Sequence, residues 1–110
     1  MSKPNMLDKT LKLLFRTTET QRIAQILLVE IRDRQNAGKP YTADEYHNFC
    51  KLKGIEEQKY QSVLSKLRQA GLVVKKGGHH AGTITLNSHF ILYLLKEWNE
   101  FLGVEYGKPT

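Results

Sequence analysis

One stretch of this chain, Glu56 to Leu86 (EEQKYQSVLSKLRQAGLVVKKGGHHAGTITL), leaves few folds open. Tyr60, Val63, Leu64, Leu67 and Ala70 recur at i, i+3, i+4, i+7 and i+10. That single stripe at the 3.6-residue period predicts a helix over 56–70. Gly71 comes next, where a left-handed backbone ends a helix at little cost. Leu72 to Lys76 then turns β-branched and apolar, and Thr83 to Leu86 answers with a Thr-Ile-Thr-Leu alternation, the signature of two paired strands. Gly77, Gly78 and Gly82 supply a tightly turning tip between them.

The outward face of that helix carries the functional information. Opposite the apolar stripe lie Gln58, Ser62, Ser65 and Gln69, flanked by Lys59, Gln61 and Lys66. A helix that is merely solvated carries Glu and Lys there. Amides and hydroxyls both donate and accept, as bonding to base edges requires, whereas lysine suits phosphates.

The remainder of the chain reads as helices around this unit. Asn5 is placed to cap a first helix over 5–16, with Leu7, Leu11, Leu14 and Phe15 on one face. Thr18 and Gln21 have capping-box spacing and open a second helix, whose face of Ile23, Ala24, Leu27, Leu28 and Ile31 predicts the deepest burial in the domain. Gly38 and Pro40 close it. Thr42 and Glu45 form a second capping box, opening a helix that buries Tyr46, Phe49 and Cys50 and ends near Lys53. Gly54-Ile55 is then a short turn, and Ile55 and Tyr60 have the spacing of a hydrophobic staple. A last helix, capped by Asn87 or Ser88, spans 88–102. Its apolar residues Phe90, Ile91, Leu94, Leu95, Trp98, Phe101 and Leu102 cover an arc of about 140°, wider than the ~100° a packed surface helix needs. One part of this arc is expected to cover the domain and the rest a second copy of the chain.

Composition narrows the classes further. With 110 residues, 40% hydrophobic and 25% charged, the chain suits one globular domain. No apolar run approaches the length of a bilayer span, and Asp8, Lys9 and Lys12 interrupt any signal-peptide core. A lone cysteine, Cys50, excludes an internal disulfide and suits a reducing compartment, so a cytoplasmic protein without membrane association is expected. The net charge of +6 favours polyanionic partners, and the 72–86 hairpin is purely basic, with Lys75 and Lys76 and no acid.

The order helix, helix, turn, helix, β-hairpin, helix resembles a winged helix-turn-helix domain. Its most telling segment, Leu64-Ser65-Lys66-Leu67-Arg68-Gln69-Ala70-Gly71-Leu72-Val73, is similar to the end of the recognition helix and start of the wing in MarR-like and ArsR-like bacterial and archaeal repressors. The resemblance covers roughly residues 18–102. It implies a mainly α fold with a small β-hairpin wing, a core over 18–86, and terminal helices 5–16 and 88–102 used for dimerisation. It also implies double-stranded DNA as partner, with Gln58, Gln61, Ser62 and Ser65 near base edges. Lys59, Lys66, Lys75, Lys76, His79 and His80 would lie near phosphates. A homodimer built on Leu7, Leu11, Ile91, Leu95, Trp98 and Leu102 would read half-sites about 34–36 Å apart. The sequence departs from the pattern at Glu56 and Glu57. These acids complement the helix dipole but oppose phosphates at the end of the helix that approaches DNA most closely.

Other chemistries find little support. His47 and Cys50 are three residues apart and His79-His80 is a loop pair, but no Cys-pair or HExxH spacing accompanies them, so no metal or cofactor is expected. The glycine-rich tip lacks GxxxxGK[ST] and a following helix, so it is no phosphate loop. No nucleophile–base arrangement or facing carboxylate pair can be assembled, so an enzyme is not expected. The reading of the sequence is a DNA-binding transcriptional regulator. The second reading is a winged-helix protein-interaction module within a larger transcription or replication assembly.

Overall fold

The computed structural model describes residues 6–77 and 82–103, and for Met6, Ile91 and Tyr93 the backbone alone. Asn5, His79 and His80, which the sequence marks for a helix cap and for phosphate binding, lie outside the described residues. Five helices and three short strands run in the order α1 (Met6–Leu14), α2 (Thr18–Asn36), β1 (Tyr41–Thr42), α3 (Tyr46–Lys53), α4 (Glu57–Gln69), β2 (Val73–Lys76), β3 (Thr83–Leu86) and α5 (Phe90–Leu102). The fold is mainly helical with a small antiparallel sheet.

Helix α2 is the centre of the packing. Ile23, Ala24, Leu27, Leu28 and Ile31, the whole predicted face, are buried. Against them pack α1, α4, β1 and β3. Its cap is Thr17, not Thr18: the Thr17 side chain accepts from the Thr20 backbone N–H at 3.1 Å. Gln21 instead turns back, its side-chain amide donating to the Phe15 carbonyl at 3.0 Å and fixing the α1–α2 corner. Neighbouring threonines offer the same chemistry, and the corner selects between them.

Helix α1 belongs to the core and is no appendage to it. Leu11 and Phe15 are buried at 2% and 3% exposure, and Leu7 and Leu14 pack beside them. This corrects the expectation for Leu11, which cannot face a second copy while it closes over α2. The exposed apolar residue of α1 is Leu13, at 88%.

The capping box of Thr42 and Glu45 is present, and it opens a 3₁₀ turn over Ala43–Glu45 that runs into α3. Glu45 Oε2 accepts from the Thr42 backbone N–H at 2.9 Å, while Arg34 of α2 donates to both carboxylate oxygens at 2.7 and 2.9 Å. The Arg34 bond, opposed by partial burial and reinforced by Thr42, draws the Glu45 carboxyl down from 4.5 to about 2. Helix α3 ends where Gly54 adopts a left-handed backbone, φ 66°. Ile55 and Tyr60 are both buried, as the staple spacing anticipates.

The sheet has the order β1-β3-β2. The hairpin arises as expected, with Val73 opposite Leu86 and Lys76 opposite Thr83. The third strand, β1, pairs Tyr41 with Ile84 and Thr42 with Thr83. Tyr41 thereby enters the core and meets Tyr60 of α4, with a hydroxyl–hydroxyl bond of 2.8 Å. Phe49 lies edge-on to Tyr41 at 6.0 Å and Tyr46 stacks on Tyr60 at 6.0 Å. Burial raises the pKa of both phenols in the bonded pair, so they remain neutral across the working pH range.

At its other end the hairpin is tied down by Asn87. Its backbone N–H donates to the Leu72 carbonyl at 2.9 Å and its side-chain amide to the Gly71 carbonyl at 2.8 Å. Asn87 also accepts from the His89 N–H at 3.0 Å, so it turns the chain into α5, whose first residue is Phe90. Neither Asn87 nor Ser88 is the cap of that helix; His89 holds the position without a side-chain bond.

Two outcomes test this packing. Tyr41→Phe or Tyr60→Phe alone strands a buried hydroxyl and should cost about 1–3 kcal/mol in urea unfolding, while the double replacement should cost less than the two added together. Glu45→Gln should lower stability by about 1–2 kcal/mol at neutral pH, its partial exposure moderating the loss. Because the folded carboxyl titrates near 2 and the unfolded one near 4.5, that contribution is complete above pH 4.5 and fades as pH falls towards 2. The gap between wild type and variant should therefore narrow over that interval.

Candidate nucleic-acid interface

Helix α4 presents two faces, as its stripe requires. Tyr60, Val63 and Leu67 are buried, whereas Gln58, Lys59, Gln61, Ser62, Ser65, Lys66, Arg68 and Gln69 are exposed. The helix is fixed at both ends. Ile55 and the Tyr60–Tyr41 bond hold the first turns against α3 and β1, and Gly71, with φ 86°, turns the chain directly into β2. The Leu72 N–H returns to the Leu67 carbonyl at 3.0 Å, satisfying an end of the helix that would otherwise lack a partner.

This corner places β2 beside the last turns of α4. A cleft of about 560 Å³ lies between them, lined by Ser65, Arg68, Gln69, Gly71, Val73, Val74 and Lys75. Ser65 and Lys75, both expected from the sequence to meet DNA, thus share one concavity. Arg68 lines it with them. The sequence reading omits this residue, although it is three positions beyond Ser65 and therefore on the same face. Its guanidinium offers five donors in a planar fork, suited to a phosphate or a guanine edge.

The two hairpin lysines separate. Register places Lys75 opposite Ile84, which is buried, and Lys76 opposite Thr83. Adjacent strand residues point to opposite faces, so Lys75 joins the cleft and Lys76 does not. The expectation that both act together from one surface is corrected on this ground.

Lysines on α4 are also engaged on its other flank. Lys59 pairs with Glu19 of α2 at 2.9 Å, and that bond raises its pKa. Lys66 sits over the Phe15 ring, 5.7 Å from its centroid. At the start of α4, Glu57 meets His47 of α3 at 3.0 Å. Charge along α4 is therefore divided. The first turn carries Glu56 and Glu57, and the last turns carry Lys66 and Arg68, with Lys75 across the cleft.

Cys50, considered with His47 as a metal ligand, is buried in the core while His47 is exposed, and burial pushes its thiol pKa up. Among the described residues no cluster of three metal-ligating side chains occurs, and no helix is long and apolar enough to cross a membrane.

The model of an archaeal family matches residues 4–101 of the chain. The chain belongs to this archaeal family. Its match embraces every described element from α1 to the end of α5 but for the last residue of that helix, so α4, the hairpin and the cleft all fall inside the family's shared region. No curated protein and no solved structure gives a match.

Proposed function

We propose that this protein is a sequence-specific double-stranded DNA-binding protein of winged helix-turn-helix architecture, acting as a transcriptional regulator. In this reading α3 and α4 are the helix-turn-helix, α4 enters the major groove, and the β2–β3 hairpin is the wing that lies along the backbone. The observation that carries it is the exposed amide and hydroxyl face of α4, continuous with a cleft that Arg68 and Lys75 make positive. Gln58, Gln61 and Ser62 address base edges, while Ser65, Arg68 and Lys75 engage the sugar-phosphate chain. Lys59 reaches a phosphate only by leaving Glu19, so it contributes less than its position suggests. Binding to a near-palindromic site would regulate transcription by excluding polymerase or another factor.

A second reading, a protein-interaction module in a larger transcription or replication assembly, is favoured by one feature. Glu56 and Glu57 occupy the end of α4 that a groove reader brings closest to DNA. Under this reading the cleft cations could be neutralised without loss of partner binding, and capture of the partner would survive nuclease treatment.

A salt titration with random-sequence duplex DNA separates the two. The DNA reading expects affinity to fall steeply with salt, and Arg68→Ala with Lys75→Ala to flatten the slope by about one unit for each phosphate left without its cation. Against a selected site, Gln61→Ala with Ser62→Ala should reduce discrimination by about 1–3 kcal/mol for each bidentate hydrogen-bond pair removed. Absence of binding at low salt, or unchanged site preference in the double variant, would overturn the reading.

A further inference from the structure

Among the described residues, helix α5 is the least covered element of the fold. It packs extensively against no other helix or strand. Leu94, Leu95, Trp98, Phe101 and Leu102 are between 41% and 74% exposed. A thirteen-residue helix is marginal in water unless its apolar face is packed. Two half-exposed aromatics and three half-exposed leucines amount to an apolar patch on the order of 500 Å², more than a monomer leaves uncovered without reason and a large part of the ~800 Å² per partner of a stable interface.

The spacing of these residues identifies what covers them. Taking Trp98 as origin, the apolar positions are −4, −3, 0, +3 and +4, namely Leu94, Leu95, Trp98, Phe101 and Leu102. The pattern reads the same in both directions. A two-fold axis passing at Trp98 between antiparallel helices sets Leu94 against Leu102, Leu95 against Phe101, and Trp98 against its own copy, which is the self-complementarity an isologous interface demands. The charges obey the same axis with reversed sign. Lys96 at −2 meets Glu100 at +2 of the other helix, twice by symmetry. Trp98 and Phe101 are already stacked at 5.7 Å within one chain, so the central surface is formed before association.

We infer that the occupant is a second copy of this chain, bound through α5 as an antiparallel pair with its two-fold axis at Trp98. The pairing gives the homodimer a defined geometry built on Leu94, Leu95, Trp98, Phe101 and Leu102. It stands independently of what α4 binds.

The test is sedimentation equilibrium of the full chain without DNA, across micromolar to hundred-micromolar concentrations. The wild type should be a dimer. Lys96→Glu alone, or Glu100→Lys alone, places like charges together at two symmetric positions and should weaken association roughly tenfold. Both sites are exposed, so the fold is retained. The double swap Lys96→Glu/Glu100→Lys should recover dimerisation, and the two single variants mixed together should prefer each other to themselves. In a Cys50→Ala background, Trp98→Cys should form a disulfide-linked dimer on oxidation. A monomer at the highest concentration, or a dimer indifferent to both single charge changes, would overturn the proposal, as would a dimer whose single variants are not rescued by the swap. Loss of DNA binding with the dimer intact would leave this inference standing and refute the DNA reading alone.

Discussion

The hydrogen bond between Tyr41 and Tyr60 joins the parts of the molecule that have to agree. Tyr41 lies in β1, where its neighbour on the central strand is Ile84, and Tyr60 is on the buried face of α4. One bond of 2.8 Å in an apolar setting therefore connects the far edge of the sheet to the helix whose outer face is available to a partner. Burying two phenols is unfavourable unless each hydroxyl finds the other, so the helix has little freedom to rotate about its own axis. That restraint matters beyond stability. Rotation of α4 by one residue would carry Ser65 and Arg68 out of the cleft they share with Lys75.

Elements governed by local chemistry are legible in the sequence. The apolar face of α2, the capping box of Thr42 and Glu45, and the stops at Gly54 and Gly71 depend on residues within a few positions of each other, and the structure contains all of them. What is not legible depends on distant partners. Strand β1 is two residues long, too short for any alternation, and exists because Thr83 and Ile84 lie beside it. Lys59 reads as a phosphate ligand from its place on the helix face, yet its partner is Glu19, forty residues earlier. Leu11 reads as an interface residue because its helix is short and terminal, and packing against α2 takes it inward.

Other differences are present in the sequence but need a second principle to see. The separation of Lys75 from Lys76 follows from the two-residue period of any strand, and the register with Ile84 decides which of them faces the cleft. Arg68 shares a helix face with Ser65 by the same logic. In the candidate site, then, the residue types are visible, while their grouping requires the turn at Gly71 that folds β2 back along α4.

Two surfaces of opposite character result, and their chemistry keeps them from competing. The outer face of α4 and its cleft are polar and positive towards the C-terminal end, where interaction with a polyanion weakens as salt rises. The outer arc of α5 is apolar, and association through it rests chiefly on area removed from water, which salt does not screen. The small charge pair Lys96 and Glu100 adjusts orientation more than strength. An assembly held by α5 would therefore persist at salt concentrations that release nucleic acid from α4, and the two surfaces could be loaded and unloaded separately. Helix α5 follows the hairpin through Asn87, which bonds to both Gly71 and Leu72 at the end of α4. The spacing between two α4 helices in a pair would thus be set by a short, hydrogen-bonded corner and not by a flexible linker.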